Sequence, residues 1–527
     1  MTEKRKGVVY TRRWAADWML DMVGYRAEEE IGRRLIVEPS CGCGAFLLTI
    51  VERLCGWKAR HPDVGWAALS ECIRAFDVDE AALRATRRAV RQALIQRGCP
   101  PETAETLLDA WLVCGDFLLH DTDLRADFVV GNPPYIRATD MPAEKRKAYA
   151  AHLNCVTLGT DIFVGFYEKS LELLKPGGVL CFICADRWLQ NAYGKRLRGK
   201  VNADFNLDVL VRMHEVRAFD EDVDAYPAVT LIRREARRET FRFVNCSPAF
   251  GADDVEDVER AMDGGLDNVR GSRFELIRLE KPHGDALYPL ADAATVRFVM
   301  SAMGRYQPIE KCGVAIGIGI GIATGCDDVF LTEDATLVEA SRLLPLYHQR
   351  FKDARPVFLV NPWEEDGSLA DLQRHPRLRN YFEKHADRLK RRYVARKSPE
   401  AWYRTIDKIQ TELLGRRLIL LPDLGVEAKP VITDRYPHHG CYWIASDEWD
   451  LEALVGLLMS TPVRRFIDAF GVKMRGGTLR FQAQYLRYVH LPEWKDVPDE
   501  VREGLRTAFR RGDAALADRW AERAYRP

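Results

Sequence analysis

The 527-residue sequence lacks the features of a membrane or secreted protein. No stretch approaches 18 consecutive apolar residues, so no transmembrane helix is predicted. The first residues, Met1–Lys6, are charged and lead into polar and aromatic residues instead of an apolar segment, so no signal peptide is predicted. We therefore expect a cytoplasmic protein without membrane contact, in which the 13 cysteines are reduced.

The sequence also lacks an excess of charge of either sign and lacks a zinc-ligand spacing. Its 78 basic and 78 acidic residues give a net charge of +0. This balance argues against a domain that binds nucleic acid by charge alone, but not against a locally basic groove. Cys181 and Cys184 form a CxxC pattern on a predicted strand, where residues three apart point to opposite faces. We expect no metal site.

The stretch Asp127–Tyr135 organises the chain. Phe128 to Val130 predict a buried strand, and the two prolines of Asn132-Pro-Pro-Tyr135 must end it because they cannot donate to a sheet. A stiff loop at the carboxyl end of a strand is where open α/β sheets bind ligands. An ordinary proline-ended turn is the simpler interpretation, but it does not explain why four specific residue types follow the strand directly.

This loop predicts a grip on one planar amino group. The side-chain carbonyl of Asn132 and the backbone carbonyl of Pro133 are two rigid acceptors for its two hydrogens. Holding both hydrogens draws the nitrogen lone pair out of conjugation and makes the nitrogen nucleophilic. The Tyr135 ring can stack on the flat group that carries the amine.

Three further strand ends carry candidate ligand-binding residues. Leu35 to Val37 predict a strand closed by Glu38, followed by a glycine turn and a helix, which is a nucleotide-binding arrangement without the GxGxxG or P-loop spacing. Asp77 is placed to accept both hydroxyls of a ribose, whereas Asp79 suits a helix N-cap. Asp116 can accept from an exocyclic amine, and the following phenylalanine can cover a ring.

Alternating strands and helices over the first half predict an α/β fold with a mostly parallel sheet and helices on both faces. In chain order the motifs resemble the gamma-class, TaqI-like DNA adenine-N6 methyltransferases, which use S-adenosylmethionine. The resemblance covers roughly residues 8 to 235 by several ordered motifs. These are Tyr10-Thr11, Glu38-Pro39 with its glycine turn, Asp77, Asp116-Phe117, Asn132–Tyr135, Leu174–Gly178 and Phe219.

The resemblance implies a Rossmann-like class I methyltransferase sheet and assigns roles to matching residues. Asn132, Pro133, Pro134 and Tyr135 form the catalytic loop, and Tyr135 and Phe219 stack on a flipped-out adenine. Thr11 and Glu38 lie near the methionine moiety of the cofactor, Asp77 takes its ribose, Asp116 its adenine amine and Phe117 its ring. The full implied cofactor set is Thr11, Glu38, Pro39, Ser40, Gly42, Gly44, Asp77, Val78, Asp116, Phe117 and Asn132.

The C-terminal half predicts an α+β DNA-recognition domain. A solvated helix face is the usual explanation of a basic run such as Lys384–Lys397, but a DNA enzyme needs phosphate contacts and no other run is as dense. A second basic loop, Lys473–Arg480, can enter a groove. The predicted DNA contacts are Lys390, Arg391, Arg392, Lys473 and Arg475.

Two other patterns in this half favour structural interpretations. Gly313–Gly325 alternates glycine with branched residues and lacks the lysine of a phosphate loop, so it predicts a twisted strand that approaches another backbone. Pro422-Asp423 followed by Glu427–Lys429 imitates a nuclease signature, but the separation is too short, and we expect no nuclease activity.

Four regions are expected: a catalytic domain over 1–240, a connector over 241–295, a recognition domain over 296–498 and a helical tail over 499–527. We expect a monomer that methylates double-stranded DNA within a restriction-modification or phage-defence system, with a cognate restriction endonuclease encoded separately. A protein glutamine-amide or RNA methyltransferase is the alternative, because the same loop suits any planar amine. A binding module that has lost catalysis is a further alternative, against which the intact cofactor set argues.

Overall fold

The structure is a computed structural model that describes residues 11–220, 226–312, 316–348, 356–422, 424–425, 430–471, 479–480 and 482–526. The chain divides into two compact units, Met1–Tyr288 and Pro289–Pro527. Among the residues described, no helix is both long enough and apolar enough to cross a membrane.

The first unit is built on one sheet of ten strands within its described residues. The strands are β1 (Ile36–Glu38), β2 (Ile73–Asp77), β3 (Leu112–Cys114), β4 (Ala126–Gly131), β5 (Leu174–Ala185), β6 (Asn206–Arg212), β7 (Pro227–Arg233), β8 (Thr240–Cys246), β9 (Asn268–Arg270) and β10 (Phe274–Glu280). The helices are α1 (Arg13–Val23), α2 (Ala45–Arg60), α3 (Glu80–Gln96), α4 (Pro101–Trp111), α5 (Ala143–His152), α6 (Phe163–Leu173), α7 (Lys195–Asp204) and α8 (Ala252–Asp263).

The sheet has the order β3-β2-β1-β4-β5-β7-β6-β8-β10-β9. The five strands from β3 to β5 are parallel to their neighbours, β7 runs antiparallel to β5 and β6, and β8, β10 and β9 are antiparallel in succession. The expected α/β class is confirmed, with more antiparallel strands than the sequence predicts. A parallel half with one reversed strand is the class I methyltransferase sheet that the motifs implied.

Helices cover both faces of the sheet. Cys181 belongs to the core formed with α1, α2 and α3, whereas Cys184 contacts the loop after β4 from the other face. On that second face the Tyr167 ring of α6 lies 5.1 Å from Phe182. The prediction that the CxxC cysteines point to opposite faces is therefore confirmed.

The segment 241–295 corrects the expected connector. Strands β8, β9 and β10 extend the large sheet, and Phe250, which precedes α8, packs on Trp14 and Trp18 at 6.2 and 5.9 Å. The mixed charges and the glycine pair Gly264-Gly265 had suggested a linker. The charges instead belong to strands that alternate charged and apolar residues, as half-exposed strands do. Helix α1 has Arg12 as its N-cap, without a capping bond from the side chain.

The second unit contains short strands and helices. The strands are β11 (Gln307–Pro308), β12 (Gly317–Ile320), β13 (Leu331–Thr332), β14 (Leu343–Tyr347), β15 (Val357–Val360), β16 (Leu418–Pro422), β17 (Leu424–Gly425), β18 (Val431–Thr433), β19 (Tyr436–Pro437), β20 (Cys441–Ala445), β21 (Leu479–Arg480) and β22 (His490–Leu491). The helices are α9 (Ala293–Arg305), α10 (Asp327–Phe330), α11 (Pro376–Lys384), α12 (Ala386–Lys390), α13 (Tyr393–Lys397), α14 (Leu451–Leu458), α15 (Thr461–Phe470), α16 (Ala483–Leu486), α17 (Asp499–Arg511) and α18 (Ala514–Ala524).

Two four-stranded sheets, β12-β20-β16-β18 and β13-β15-β14-β19, form the middle of this unit. Within the glycine-rich stretch, β12 covers Gly317–Ile320, and residues 313–315 lie outside the described residues. A side chain at Gly319 would lie 2.4 Å from the Trp443 ring of β20. A side chain at Gly321 would lie 2.3 Å from the backbone oxygen of His438, so the predicted close approach is confirmed. The helical tail predicted over 499–527 consists of α17 and α18 within the described residues.

Candidate active site

The candidate site lies where the strand order of the first unit reverses. β1 lies between β2 and β4. After β1 the chain adds β2 and β3 on one side of it, and then crosses back to add β4 and β5 on the other side. Ligands of open α/β sheets bind in the crevice at the carboxyl ends of the strands at this switch point. Glu38 ends β1 and Asn132 follows β4, so both predicted motifs lie at this crevice.

A left-handed glycine turn connects β1 to α2. Gly42 and Gly44 have φ angles of 53° and 87°, which other residues adopt only with strain. The Thr86 hydroxyl of α3 donates to the Gly42 carbonyl at 2.8 Å. A side chain at Gly44 would also lie 3.0 Å from the methyl group of Thr86. Conformation and space together therefore require glycine at position 44.

Asp77 supports this turn from the end of β2. Its carboxylate accepts from the backbone N–H groups of Gly42 and Asp79, each at 2.8 Å. Carboxylate oxygens have about four acceptor positions in total, so Asp77 keeps the capacity to accept from hydroxyl groups. Asp79 caps α3 through the N–H of Ala81 at 2.9 Å, as predicted. Val78, between the two aspartates, is 63% exposed and offers apolar surface.

Glu38 is a buried carboxyl group at the end of β1. It is 2% exposed, and its Oε2 atom has no hydrogen-bond partner among the described residues. Burial, together with the nearby charge of Asp77, raises its pKa well above the ordinary value. An unpartnered buried carboxyl group is costly unless a ligand donates to it. Glu38 therefore fits a cationic or hydroxyl-bearing ligand.

Three contacts fix the loop after β4. The Asn132 side-chain Nδ2 donates to the Thr11 hydroxyl at 3.3 Å, and the Ser40 hydroxyl donates to the Asn132 backbone carbonyl at 3.0 Å. In this orientation of the amide, Nδ2 points at Thr11 and Oδ1 is the acceptor end. The Cys184 thiol lies 4.0 Å from the Pro133 carbonyl. The two predicted acceptors therefore lie on a loop held from three sides.

Two aromatic rings lie beside these acceptors. The Tyr135 hydroxyl donates to the Ile183 carbonyl at 3.3 Å, which anchors the far end of the ring in β5. The Phe219 ring is 6.2 Å from the Tyr135 ring at 82°. Phe219 also pairs with Thr11 as an antiparallel bridge, and Arg12 donates to the Phe219 carbonyl at 3.0 Å. The structure thus brings together Thr11, the loop Asn132–Tyr135 and Phe219, which are far apart in the chain. Pro39 follows β1, and Pro134 lies in the loop after β4.

Phe117 differs from its prediction, and Asp116 already has partners within the protein. Asp116 accepts from the Tyr149 hydroxyl at 2.8 Å and from the Leu118 N–H at 3.1 Å. The Phe117 ring is buried, stacked 5.6 Å from Phe166, so it lacks the open face expected for covering a ligand ring. Exposed apolar surface at this edge comes from Val78 instead, because the ring of Phe117 completes the core.

Sequence reasoning missed Tyr149 and the contact made by Cys184. Tyr149 is the buried residue of α5, and it is separated from Asp116 by 33 residues. Burial and the bond to Asp116 raise the pKa of Tyr149. One weak signal existed for Tyr149, since it is a large aromatic residue in an otherwise polar helix.

The basic residues of the second unit separate into two kinds. Lys390 and Arg391 are exposed. Arg392 is partly buried, and its guanidinium donates to the carbonyls of Leu389, Thr324, Trp402 and Arg404 at 2.7 to 3.1 Å. Its role is to hold the loops around α13, which corrects the predicted phosphate contact. Lys473, Arg475 and the nuclease-like residues Asp423 and Glu427–Lys429 lie outside the described residues.

The fold is that of the class I methyltransferases, and comparison with known proteins defines the family. Residues 103–219 match the model of the Eco57I restriction-modification methylase family. The chain is 37% identical over 535 residues to the type II methyltransferase M.XhoI of Xanthomonas vasicola, covering 99% of this chain and 97% of that protein. It is 37% identical over 533 residues to the type II methyltransferase M.PaeR7I of Pseudomonas aeruginosa, covering 99% and 92%.

The solved structure of the type IIL restriction-modification enzyme MmeI in complex with DNA is similar in fold, with a TM-score of 0.61 and 12% identity over 97% of this chain and 71% of that one. The chain belongs to the type II restriction-modification DNA methyltransferases. DNA is accordingly its substrate and S-adenosylmethionine its methyl donor, as the sequence predicted.

Proposed function

We propose that this protein is a gamma-class enzyme that methylates N6 of an adenine flipped out of double-stranded DNA. The first unit carries the reaction and the second unit recognises the DNA. The observation that carries the proposal is the loop Asn132–Tyr135 at the switch point of the sheet, held by Thr11 and Ser40. Cofactor motifs before the recognition region are the gamma order.

The loop supports a target with a planar exocyclic amine. Asn132 Oδ1 and the Pro133 carbonyl accept the two hydrogens of that amine, and the nitrogen lone pair leaves conjugation with the ring. Because both acceptors are fixed before the substrate arrives, the loop needs no reorganisation during the reaction. No strong base is needed, since the amine loses its proton only after the nitrogen has become positively charged.

The aromatic residues support a flipped base. A base amine within a duplex is out of reach of a loop that lies in a crevice, so the nucleotide must leave the stack. Tyr135 and Phe219 then replace the stacking that the base has lost, at about 1–3 kcal/mol for each stacked base. The anchor of Tyr135 on the Ile183 carbonyl keeps its ring in place.

We assign the cofactor to the side of the crevice that carries the glycine turn. S-adenosylmethionine supplies a methyl group already activated by its sulfonium centre. Glu38 and Thr11 lie where they can bind the amino-acid portion, and Asp77 accepts from the ribose hydroxyls. Pro39, Ser40, Gly42 and Gly44 shape the turn around it, Val78 offers apolar surface to the adenine, and Asp116 accepts from its amine.

The second unit is assigned to DNA recognition. Lys390 and Arg391 are exposed on a basic surface suited to phosphate contacts. Lys473 and Arg475 complete the proposed set from their sequence alone. We propose that the enzyme acts as a monomer, and that a separately encoded restriction endonuclease cleaves the same DNA site when it is unmethylated.

Nucleoside analysis tests the proposal. Unmethylated genomic DNA is treated with the enzyme and labelled S-adenosylmethionine, digested to nucleosides and analysed by mass spectrometry, and a parallel sample is sequenced. We expect the label in N6-methyl-2′-deoxyadenosine at one short motif, with none from the Asn132→Ala variant. Label in a methylated cytosine would overturn the adenine assignment. No label in the DNA, from enzyme that binds the cofactor, would overturn the DNA substrate.

A further inference from the structure

Three potential metal ligands converge in the second unit, where the sequence predicted no metal site. His438 and His439 lie in the turn between β19 and β20, and Asp327 begins α10, 111 residues earlier. One ligand atom from each of the three lies within 4.8 Å of the others. His438 is 4% exposed, whereas His439 is exposed.

The spacing of these atoms differs from an ordinary hydrogen-bonded pair. His438 Nε2 lies 3.4 Å from each oxygen of the Asp327 carboxylate, whereas a charge-assisted hydrogen bond brings one oxygen to roughly 2.7–2.9 Å. His438 Nε2 also lies 3.1 Å from His439 Nδ1. Ligands about 2.0–2.1 Å from a tetrahedral zinc ion are roughly 3.3–3.4 Å apart. The separation of His438 from Asp327 matches this edge length, and the 3.1 Å separation of the two imidazole nitrogens is slightly shorter than it.

The surroundings orient the group. The Thr324 hydroxyl donates to Asp327 Oδ1, as neighbouring groups do for carboxylates that bind metals. The backbone N–H of His439 donates to the Ile322 carbonyl at 3.0 Å, and the backbone N–H of His438 donates to the Tyr347 carbonyl at 3.2 Å. These two bonds fix the backbone of the turn. The His348 ring packs 4.4 Å from the His438 ring.

We propose that Asp327, His438 and His439 bind one Zn²⁺ ion, with the remaining coordination position filled by water. Two imidazoles and one carboxylate are a ligand set that zinc accepts. The ion ties the start of α10 to the β19–β20 turn and so joins segments far apart in the chain. Its role is structural support of the second unit, because binding to the folded state stabilises that state.

Metal binding to the full-length protein, prepared without an affinity tag, tests the site. The chain is stripped with a chelator, and zinc affinity is measured by calorimetry for the wild type, for His439→Ala and for His283→Ala. His283 is an exposed histidine of the first unit and serves as the matched control. All three proteins retain the exposed cysteines Cys43 and Cys114, so thiol binding contributes equally.

We expect one zinc ion per chain in the wild type and in His283→Ala, with affinity at least tenfold weaker in His439→Ala. Zinc should raise the melting temperature of the first two proteins only. Equal affinity in all three would overturn the site. If His439→Ala fails to fold, cobalt substitution of the wild type decides: the absorption of tetrahedral nitrogen and oxygen coordination supports the site, and its absence overturns it.

Discussion

Asn132 donates a hydrogen bond from its side-chain amide to the hydroxyl of Thr11, 121 residues earlier in the chain, at 3.3 Å. Thr11 in turn bridges to Phe219, which lies beside Tyr135. Thr11 thus connects the proposed amine-binding loop, through its hydroxyl group, to the proposed base-stacking residue, through its backbone. The orientation of the Asn132 amide depends on a residue that need not contact the DNA.

Replacing Thr11 by valine should slow methyl transfer while leaving the fold intact. The variant keeps the shape of the side chain but removes the acceptor for Asn132 Nδ2, at a cost of about 1.4 kcal/mol, or roughly tenfold in rate. Single-turnover measurements with saturating cofactor and DNA check this. Thr11→Ser, which retains the hydroxyl, should keep most of the activity. Equal rates for the two variants would contradict the positioning role.

Glu38 predicts an unusual dependence of stability on pH. Because its pKa is raised in the folded protein, the native state binds more protons than the unfolded state between the ordinary glutamate pKa and the raised one. The contribution of Glu38 to stability is therefore lost as the pH rises through this window. Without cofactor, Glu38→Gln should melt at a higher temperature than the wild type at neutral pH, and the difference should vanish at acidic pH.

The same substitution should weaken cofactor binding. If Glu38 is protonated in the apoprotein and binds the ligand as a carboxylate, S-adenosylmethionine binding releases a proton. Calorimetry in buffers of different ionisation enthalpy measures that release. We expect proton release on cofactor binding to the wild type and a smaller release on binding to Glu38→Gln, since in the variant only the ligand's own groups titrate. Identical proton release by both proteins would remove Glu38 from the cofactor site.

The ring and the hydroxyl of Tyr135 should have separable effects. Tyr135→Phe keeps the ring and loses the bond to the Ile183 carbonyl, so it should lower the free energy of unfolding by about 1 kcal/mol and retain methyl transfer. Tyr135→Ala also loses the stacking surface, at about 1–3 kcal/mol. Denaturant unfolding and kinetics measure the two effects. A fully active alanine variant would exclude stacking by Tyr135.

Arg391 and Arg392 are adjacent but should respond differently to alanine. Arg391→Ala removes an exposed charge, so stability should change by less than about 0.5 kcal/mol and the salt dependence of DNA binding should weaken by about one counterion. Arg392→Ala leaves several backbone carbonyls without their donor and should lower the free energy of unfolding by about 2–4 kcal/mol. Reversed effects would show that Arg392 contacts DNA.

The sequence predicted the parts of the site that local rules govern. Strand ends, the glycine turn and the Asp79 cap follow from residues close together in the chain, and each is found where expected. The placement of Glu38 and Asn132 at one crevice follows from the topology of parallel sheets. These features could be predicted because a single residue or a short stretch of sequence determines each of them.

The remaining features depend on contacts between distant segments. Nothing near Phe117 in the sequence shows that Phe166 covers its ring, and nothing near Arg392 shows that Thr324, 68 residues earlier, accepts from it. The strands β8 to β10 escaped prediction because alternating charged and apolar residues also occur in connectors. The histidines of the β19–β20 turn were missed because Asp327 lies 111 residues away.

The central claim is that Asn132 activates the target amine, and single-turnover methyl transfer by Asn132→Ala tests it most directly. Cofactor and DNA affinities are measured on the same preparations, so that a loss of binding is distinguished from a loss of chemistry. We expect the rate to fall by at least about 10²-fold, the range typical of removing one fixed group that stabilises a transition state, with both affinities nearly unchanged. A rate within a few fold of the wild type would contradict the proposed mechanism.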